Sequence, residues 1–251
     1  MTWRGRVERY LRSIVEEGEV VHMTLVDPEK FSDDIYKAVA QMIEAGTDAI
    51  LVGGSLMVME RDVDAVVNAL KDFGKPVILF PGSVAGISRE ADAILFLSVL
   101  NSDDPYYIVG AQVYAAPIIL KYGLEVIPTA YIIVGFGGAA ALMSKARVIP
   151  FERYDVISAY VLAAWCMGMR FSYIEAGSGA PTHIPPDVLA KIRKVAPKDL
   201  FLIVGGGIRS AEAAKNLAMA GADAIVTGTI IEQNPEVAVK IVRSIKSVKR
   251  R

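Results

Sequence analysis

Two hydrophobic patterns alternate along the whole chain. Short, nearly continuous apolar runs rich in β-branched residues are followed by longer stretches in which apolar positions recur every three or four residues. The first pattern suits strands buried on both faces, and the second suits helices laid with one face on a sheet. Eight strands are predicted, at 20–27, 48–54, 76–80, 92–98, 125–134, 172–177, 200–207 and 223–228. Helical patterns fall at 30–45, 56–72, 105–122, 151–168, 186–195, 210–220 and 235–248, with residues 1–19 as an N-terminal helix. Pro185–Pro186 and Ser210 stand where helices begin, and Gly221 stands where one stops. The third crossover, PGSVAGISREA at 81–91, has two glycines and a proline and is expected to be a loop or a single turn.

An internal echo supports one repeating unit. AGTDAILVGGS (45–55) matches AGADAIVTGTI (220–230), and EADAILFLS (90–98) is a fainter third copy. Repeated β-α units without a linker or a shift in composition predict an α/β protein with one domain over 1–251. The expected architecture is a single (β/α)8 TIM-type barrel with a shortened or missing third helix. A doubly wound open sheet is the alternative, and eight evenly spaced strands favour closure.

Composition narrows the chemistry. The 251 residues carry a net charge of −1, without the basic excess expected of a nucleic-acid binder. The terminal KSVKRR reads as a solvated helix end. One cysteine and two histidines leave neither a disulfide framework nor a multi-cysteine metal site, and they argue against zinc. A cytoplasmic setting fits, and the charged N-terminus lacks the apolar core of a signal peptide. The uncharged stretch 126–143 borders on the length of a membrane span, but Pro128, Gly135, Gly137 and Gly138 mark it as strand, loop and helix start. Hydrophobic residues make up 53 %, enough to cover a core, an oligomer interface or a greasy ligand.

In such a barrel the chemistry sits where the strands end. The seventh and eighth strands run into GGGI (205–208) and TGTI (227–230). Gly205, Gly206, Gly228 and Thr229 can turn backbone N–H groups toward a phosphate, and a following helix start favours the anion. After the first strand, Asp27 faces the mouth; Ser32 and Asp33 are better placed than Asp27 to cap the next helix. Ser55 follows the second strand and could equally be an ordinary helix cap. A carboxylate and a hydroxyl together suit Mg2+ held mainly by water and a diphosphate. Glu175 ends the sixth strand, with Tyr173 pointing the same way. There it could take a proton from a substrate hydroxyl, orient that hydroxyl, or serve as a structural carboxylate for loop N–H groups. GFGGAA (135–140) matches a dinucleotide fingerprint but lacks the acidic strand end about twenty residues on, so it is read as small residues flooring an apolar groove. Tyr107, Tyr114, Tyr122, Tyr131, Phe136 and Trp165 cluster around strands four to six, mostly as core, with some available to line that groove.

Taken together, TLVDP, VGGS, YIEAGSGAP, VGGGIRS and ADAIVTGT fall in the order and spacing of geranylgeranylglyceryl phosphate synthases, and the chain resembles that family over nearly its whole length. The resemblance implies a Mg2+-dependent prenyltransferase of archaeal ether-lipid synthesis, joining sn-glycerol 1-phosphate to geranylgeranyl diphosphate and releasing diphosphate. Bacterial relatives use a heptaprenyl chain. It implies Mg2+ on Asp27 and Ser55 and the base at Glu175. Glycerol phosphate would lie on Tyr173, Ile174, Glu175, Ala176, Gly177, Ser178, Gly179, Ala180, Gly205, Gly206, Gly228 and Thr229. Thr229 departs from the asparagine common in the family, and the contact the resemblance implies there is through its backbone N–H. A homo-oligomer and a transient contact with the membrane surface are expected, without a transmembrane span. The alternative is another phosphate-binding barrel isomerase or synthase acting on a small phosphorylated metabolite, against which stands the lack of a lysine at any predicted strand end. A non-catalytic lipid- or phosphate-binding scaffold is the third reading.

Overall fold

The computed structural model describes residues 4–54 and 59–250. Eight parallel strands close in chain order: β1 (Val21–Val26), β2 (Ala49–Val52), β3 (Val77–Leu79), β4 (Ala93–Val99), β5 (Glu125–Ile133), β6 (Phe171–Glu175), β7 (Phe201–Gly205) and β8 (Ala224–Thr227). β8 returns to β1 with Met23 opposite Val226, so the ring has no edge. Each strand matches a predicted run to within a few residues.

Side-chain alternation sorts the core into an inside and an outside. Val21, Met23, Leu51, Ile78, Leu95, Ile127, Phe171, Phe201 and Ile203 fill the barrel, and Val7 and Leu11 of α1 (Arg6–Glu16) plug its floor. The alternate positions, such as Ile132, Ile174, Leu202 and Val204, pack outward against the helices. Those helices are α2 (Asp33–Ala45), α3 (Glu60–Lys71), α4 (Ala111–Tyr122), α5 (Gly138–Ser144), α6 (Tyr154–Cys166), α7 (Pro186–Val195), α8 (Ala211–Met219), α9 (Thr229–Gln233) and α10 (Pro235–Lys246). The third crossover carries only a 3-10 turn, Val84–Gly86, as its composition requires. α5 begins where the glycines of 126–143 predicted a helix start, and α9 is a short addition outside the predicted helical patterns. Among the described residues no helix is long and apolar enough to cross a membrane; 126–143 divides into β5, a glycine turn and α5.

The internal echo has a structural cause at the floor. Asp48 accepts the N–H of His22 at 2.9 Å, Asp92 that of Val77 at 2.9 Å, and Asp223 that of Leu202 at 2.8 Å. Each aspartate, one residue before its strand, ties the start of the neighbouring strand. Each also meets a cation: Lys246 for Asp48, Arg6 for Asp92, Arg193 and Arg250 for Asp223.

Two seams of the barrel are short. β3 and β4 pair only through Ile78–Ala93 and Leu79–Ile94 before Pro81 and Gly82 carry the chain away. β7 and β8 pair only through Ile203–Ala224 and Val204–Ile225 before both enter glycine loops. By contrast β4 and β5 stay paired from Ala93–Glu125 to Val99–Tyr131. The barrel therefore opens at two places on opposite sides.

Candidate active site

A cavity of about 200 Å3 opens at the first short seam and one of about 60 Å3 at the second. The larger begins at Asp27, Lys30, Gly53 and Gly54 and passes Phe80 and Tyr131. It then runs between β4 and α4 along Phe96, Leu97, Tyr107, Ala111 and Ala115. It touches both faces of β4, Ile94 and Phe96 outside and Leu95 and Leu97 inside, because β3 has already left the ladder. A full third helix would occupy the space it uses. The smaller cavity is built from Ser178, Gly179, Gly206, Gly207, Arg209, Gly228 and Thr229.

Glu175 stands where the two meet. It is the only ionisable side chain among the described residues to line both, alongside Leu25, Ser178, Gly228 and Thr229. As the last residue of β6 on an inward-facing position, it reaches the rim directly above Tyr173. Its Oε1 accepts the Gly177 N–H at 2.7 Å, and Tyr173 and Tyr131 face the carboxylate closely enough to lower its pKa. Phe80, Tyr131 and Tyr173 form a three-ring wall below, with centroids 5.2–5.7 Å apart.

Only 5 % of Glu175 is exposed. Burial raises its pKa above the ordinary glutamate range, against the opposing pull of the Gly177 N–H and the two tyrosine hydroxyls. Burial, and then the neighbouring Glu175 charge, hold both tyrosines well above the usual phenol value, so they remain donors. A carboxylate made more basic by burial, yet held by the Gly177 N–H, is suited to accept a proton from an incoming hydroxyl. Gly206 makes this packing possible. At φ +88° its backbone passes so close that a Cβ would fall 2.7 Å from Glu175 Oε1 and 2.6 Å from the Gly177 nitrogen.

Asp27 ends up at the mouth of the larger cavity. Its Oδ1 accepts the Glu29 N–H at 3.1 Å, capping the turn Pro28–Lys30, while Ser32 caps α2. Its Oδ2 has Lys30 Nζ at 3.9 Å, outside hydrogen-bond reach. Ser55, the other expected metal-binding residue, lies outside the described residues. Among the described residues no cluster of three His, Cys, Asp or Glu could cage a metal by itself. One carboxylate at the rim of a cavity fits Mg2+ shared between protein, water and a substrate's phosphate oxygens.

The expected site residues divide in two. Asp27, Tyr173, Glu175, Ser178, Gly179, Gly206, Gly228 and Thr229 come together around the cavities. Ile174, Ala176, Gly177, Ala180 and Gly205 do not line them. Strand alternation turns Ile174 outward into the helix-side core, Ala176 and Ala180 are fully packed, and Gly205 lies against the Tyr173 hydroxyl. Gly177 points its N–H at Glu175 instead. Ser178 Oγ and Thr229 Oγ1 sit 3.3 Å apart, joining the loops after β6 and β8.

Three aromatic expectations are corrected. Tyr114, Phe136 and Trp165 are exposed at 67 %, 59 % and 44 %, on α4, the loop after β5 and α6. Tyr122 packs outside, under Arg89 and bonded to Glu60; only Tyr107 and Tyr131 of that group line the cavity. GFGGAA is not a nucleotide turn: the Gly137 N–H bonds the Ala176 carbonyl at 3.0 Å, laying this loop over the one that follows Glu175. Neither histidine enters a cavity. His22 is buried between the hydroxyls of Thr47 and Thr227; burial, and then the Lys246 charge, lower its pKa to about 3, and His183 Nδ1 faces the Ile184 carbonyl. Lys30, Arg209 and Glu232 were not singled out as site residues by sequence; only Arg209, inside GGGIRS, carried a local signal.

Residues 12–246 match the model of the PcrB family. The chain belongs to the PcrB family. This PcrB-family protein is 50 % identical to the geranylgeranylglyceryl phosphate synthase of Sulfolobus acidocaldarius, covering all of this chain and 98 % of that protein. It is 49 % identical to the enzyme of that name from Saccharolobus solfataricus over 98 % of this chain and 97 % of the relative. Its structure is similar to that of (S)-3-O-geranylgeranylglyceryl phosphate synthase from Thermoplasma acidophilum, solved in complex with substrate sn-glycerol-1-phosphate. There the TM-score is 0.90 at 42 % identity, over 98 % of this chain and all of the other. A Mycobacterium tuberculosis tryptophan synthase structure matches at TM-score 0.61 and 15 % identity, a likeness of fold alone.

Proposed function

We propose that this protein is a geranylgeranylglyceryl phosphate synthase, forming an ether bond between sn-glycerol 1-phosphate and geranylgeranyl diphosphate and releasing diphosphate. Full-length identity near one half to proteins of that name supports it. The observation that carries the residue-level reading is the position of Glu175, between a glycine-lined cradle and an apolar trench with a carboxylate at its mouth.

Glycerol phosphate occupies the smaller cavity, its phosphate against the backbone of Gly206, Gly228 and Thr229 and its terminal hydroxyl toward Glu175. The prenyl chain lies in the larger cavity, its diphosphate at the Asp27 end. The hydroxyl oxygen attacks C1 of the allylic chain while the C1–O bond to diphosphate breaks. The bonding pair leaves with diphosphate, and the hydroxyl proton passes to Glu175. Mg2+ on Asp27 and Ser55 would neutralise charge on the departing diphosphate. Phe80, Tyr131 and Leu97 shelter the electron-poor carbon from water. The exposed apolar side chains Val113, Tyr114, Leu120 and Leu142 support further association, as a homo-oligomer in the cytoplasm with passing contact to a membrane surface.

The test is incubation with labelled sn-glycerol 1-phosphate, Mg2+ and prenyl diphosphates of several lengths. A labelled ether product is expected; binding of glycerol phosphate with no product at any chain length would leave a scaffold instead of an enzyme.

A further inference from the structure

Four side chains of the charged residue types line the larger cavity: Asp27, Lys30, Glu175 and Glu232. Among the described walls Lys30 is its only cation, while the smaller cavity holds Arg209. A diphosphate ester carries several negative charges, and the acidic Asp27 at its proposed place adds another. One divalent ion leaves this pole anionic, and the charge rises further as the leaving group departs. The described walls of this cavity hold one cation placed to offset it.

Lys30 is well positioned for that. It closes the 3-10 turn after β1, whose backbone is held by Pro28 and the Asp27 cap. Its ammonium lies 3.9 Å from Asp27 and 2.9 Å from Glu232 of α9, and just over half of the side chain is exposed. Glu232 also raises the pKa of this lysine above its ordinary value, first through the hydrogen bond. Lys30 is thus held at the cavity wall by a carboxylate it can leave, on a flexible four-carbon stem.

We propose that Lys30 is a catalytic residue of the transfer, its ammonium moving from Glu232 onto the diphosphate of the allylic substrate. It stabilises the oxygen that receives the electron pair when the C1–O bond breaks. No proton leaves Lys30; the hydroxyl proton goes to Glu175. The inference rests on the function proposed above and adds a residue to it. The competing role is mechanical, with the Lys30–Glu232 pair only tying the loop after β1 to the loop after β8.

Two substitutions separate these roles, because K30M and E232Q both break the ion pair but only K30M removes the cation. The readouts are inhibition by inorganic diphosphate with Mg2+ present, kcat and KM for the prenyl diphosphate, and calorimetric binding of sn-glycerol 1-phosphate. K30M is expected to weaken diphosphate inhibition, and to lower kcat/KM for the prenyl diphosphate, by about 10–100-fold, the span of a charged hydrogen bond. E232Q should stay within about fivefold of wild type, as for an exposed ion pair. K30R should recover most of the loss, and glycerol phosphate should bind K30M as it binds wild type. Equal losses in K30M and E232Q, or diphosphate inhibition of K30M at the wild-type level, would overturn the assignment. If wild type makes no ether product, yet binds diphosphate in a way K30M abolishes, the transferase reading fails and Lys30 stands as an anion ligand.

Discussion

The two ends of the barrel treat carboxylates in opposite ways. At the floor, Glu8 is fully buried between Arg12 Nε at 2.9 Å and the Arg170 guanidinium at 2.8 Å. The Arg12 guanidinium also lies 5.3 Å from the centre of the Phe171 ring. Glu125 caps α1 through the N–H groups of Val7 and Glu8, both at 2.8 Å, and three aspartates tie strand starts to cations. At the mouth, Glu175 has the neutral Gly177 N–H and no salt-bridge partner, and the Asp27 oxygen facing Lys30 stands 3.9 Å from it, beyond hydrogen-bond reach. Neutralised carboxylates hold the ring shut. Carboxylates left short of charge are available for a proton or a ligand, and the fold bears the cost of keeping them so.

The same change, glutamate to glutamine, should therefore act differently at the two ends. The largest expected effect is on catalysis: E175Q should lose roughly 10²- to 10⁴-fold in kcat while sn-glycerol 1-phosphate still binds. Steady-state rates and calorimetry check this, and a wild-type rate would remove Glu175 from the chemistry. In the wild type the acid limb of kcat/KM should lie above the ordinary glutamate range, since burial raises the pKa of the form that must be ionised.

Next in size, E8Q should destabilise the fold by about 3 kcal/mol by leaving the guanidinium groups of Arg4, Arg12 and Arg170 without their counter-charge. That lowers the unfolding midpoint by roughly 6–12 °C. At temperatures where E8Q is folded, its KM values should match wild type. D27A should lower kcat/KM on the order of a hundredfold and weaken the dependence on Mg2+. A magnesium titration that overlays the wild-type curve would contradict the placement of the metal.

The smallest effect has the opposite sign to E8Q. The folded-state pKa of Glu175 is raised, so the native protein holds this proton more readily than the unfolded chain. Its ionisation therefore costs stability above the ordinary glutamate range, and that cost disappears as pH falls below it. E175Q should be more stable than wild type at pH 7, on the order of 1 kcal/mol, with no gain in acid. Thermal unfolding at the two pH values decides it, and a destabilised E175Q at pH 7 would end the contrast between floor and mouth.

Much of this was legible along the chain. Apolar runs marked all eight strands to within a few residues, two glycines and a proline marked the missing helix, and strand alternation brought Glu175 to the rim. The DAI echo was visible too, but its reason was not: the partner N–H of each aspartate lies on a neighbouring strand. GFGGAA was read as a floor for a groove, and Ala140 does line the larger cavity; what the sequence did not show is that the same loop also lies over the Glu175 turn, because its partner, the Ala176 carbonyl, lies on the next strand's loop. Tyr114, Phe136 and Trp165 read as core because apolar content does not say which face of a helix or loop is covered.

By itself the sequence determined the repeating β-α unit, the glycine-rich strand ends and one carboxylate on an inward strand position. These depend on periods of two and 3.6 residues and on local backbone freedom. Only ring closure decided that Tyr131 stands across from Tyr173 and beneath Glu175, and that Lys30 meets Glu232 from the other end of the chain. The same closure left two seams unpaired where the cavities open. Register between strands is set by packing the whole barrel at once, and no local run of residues encodes it.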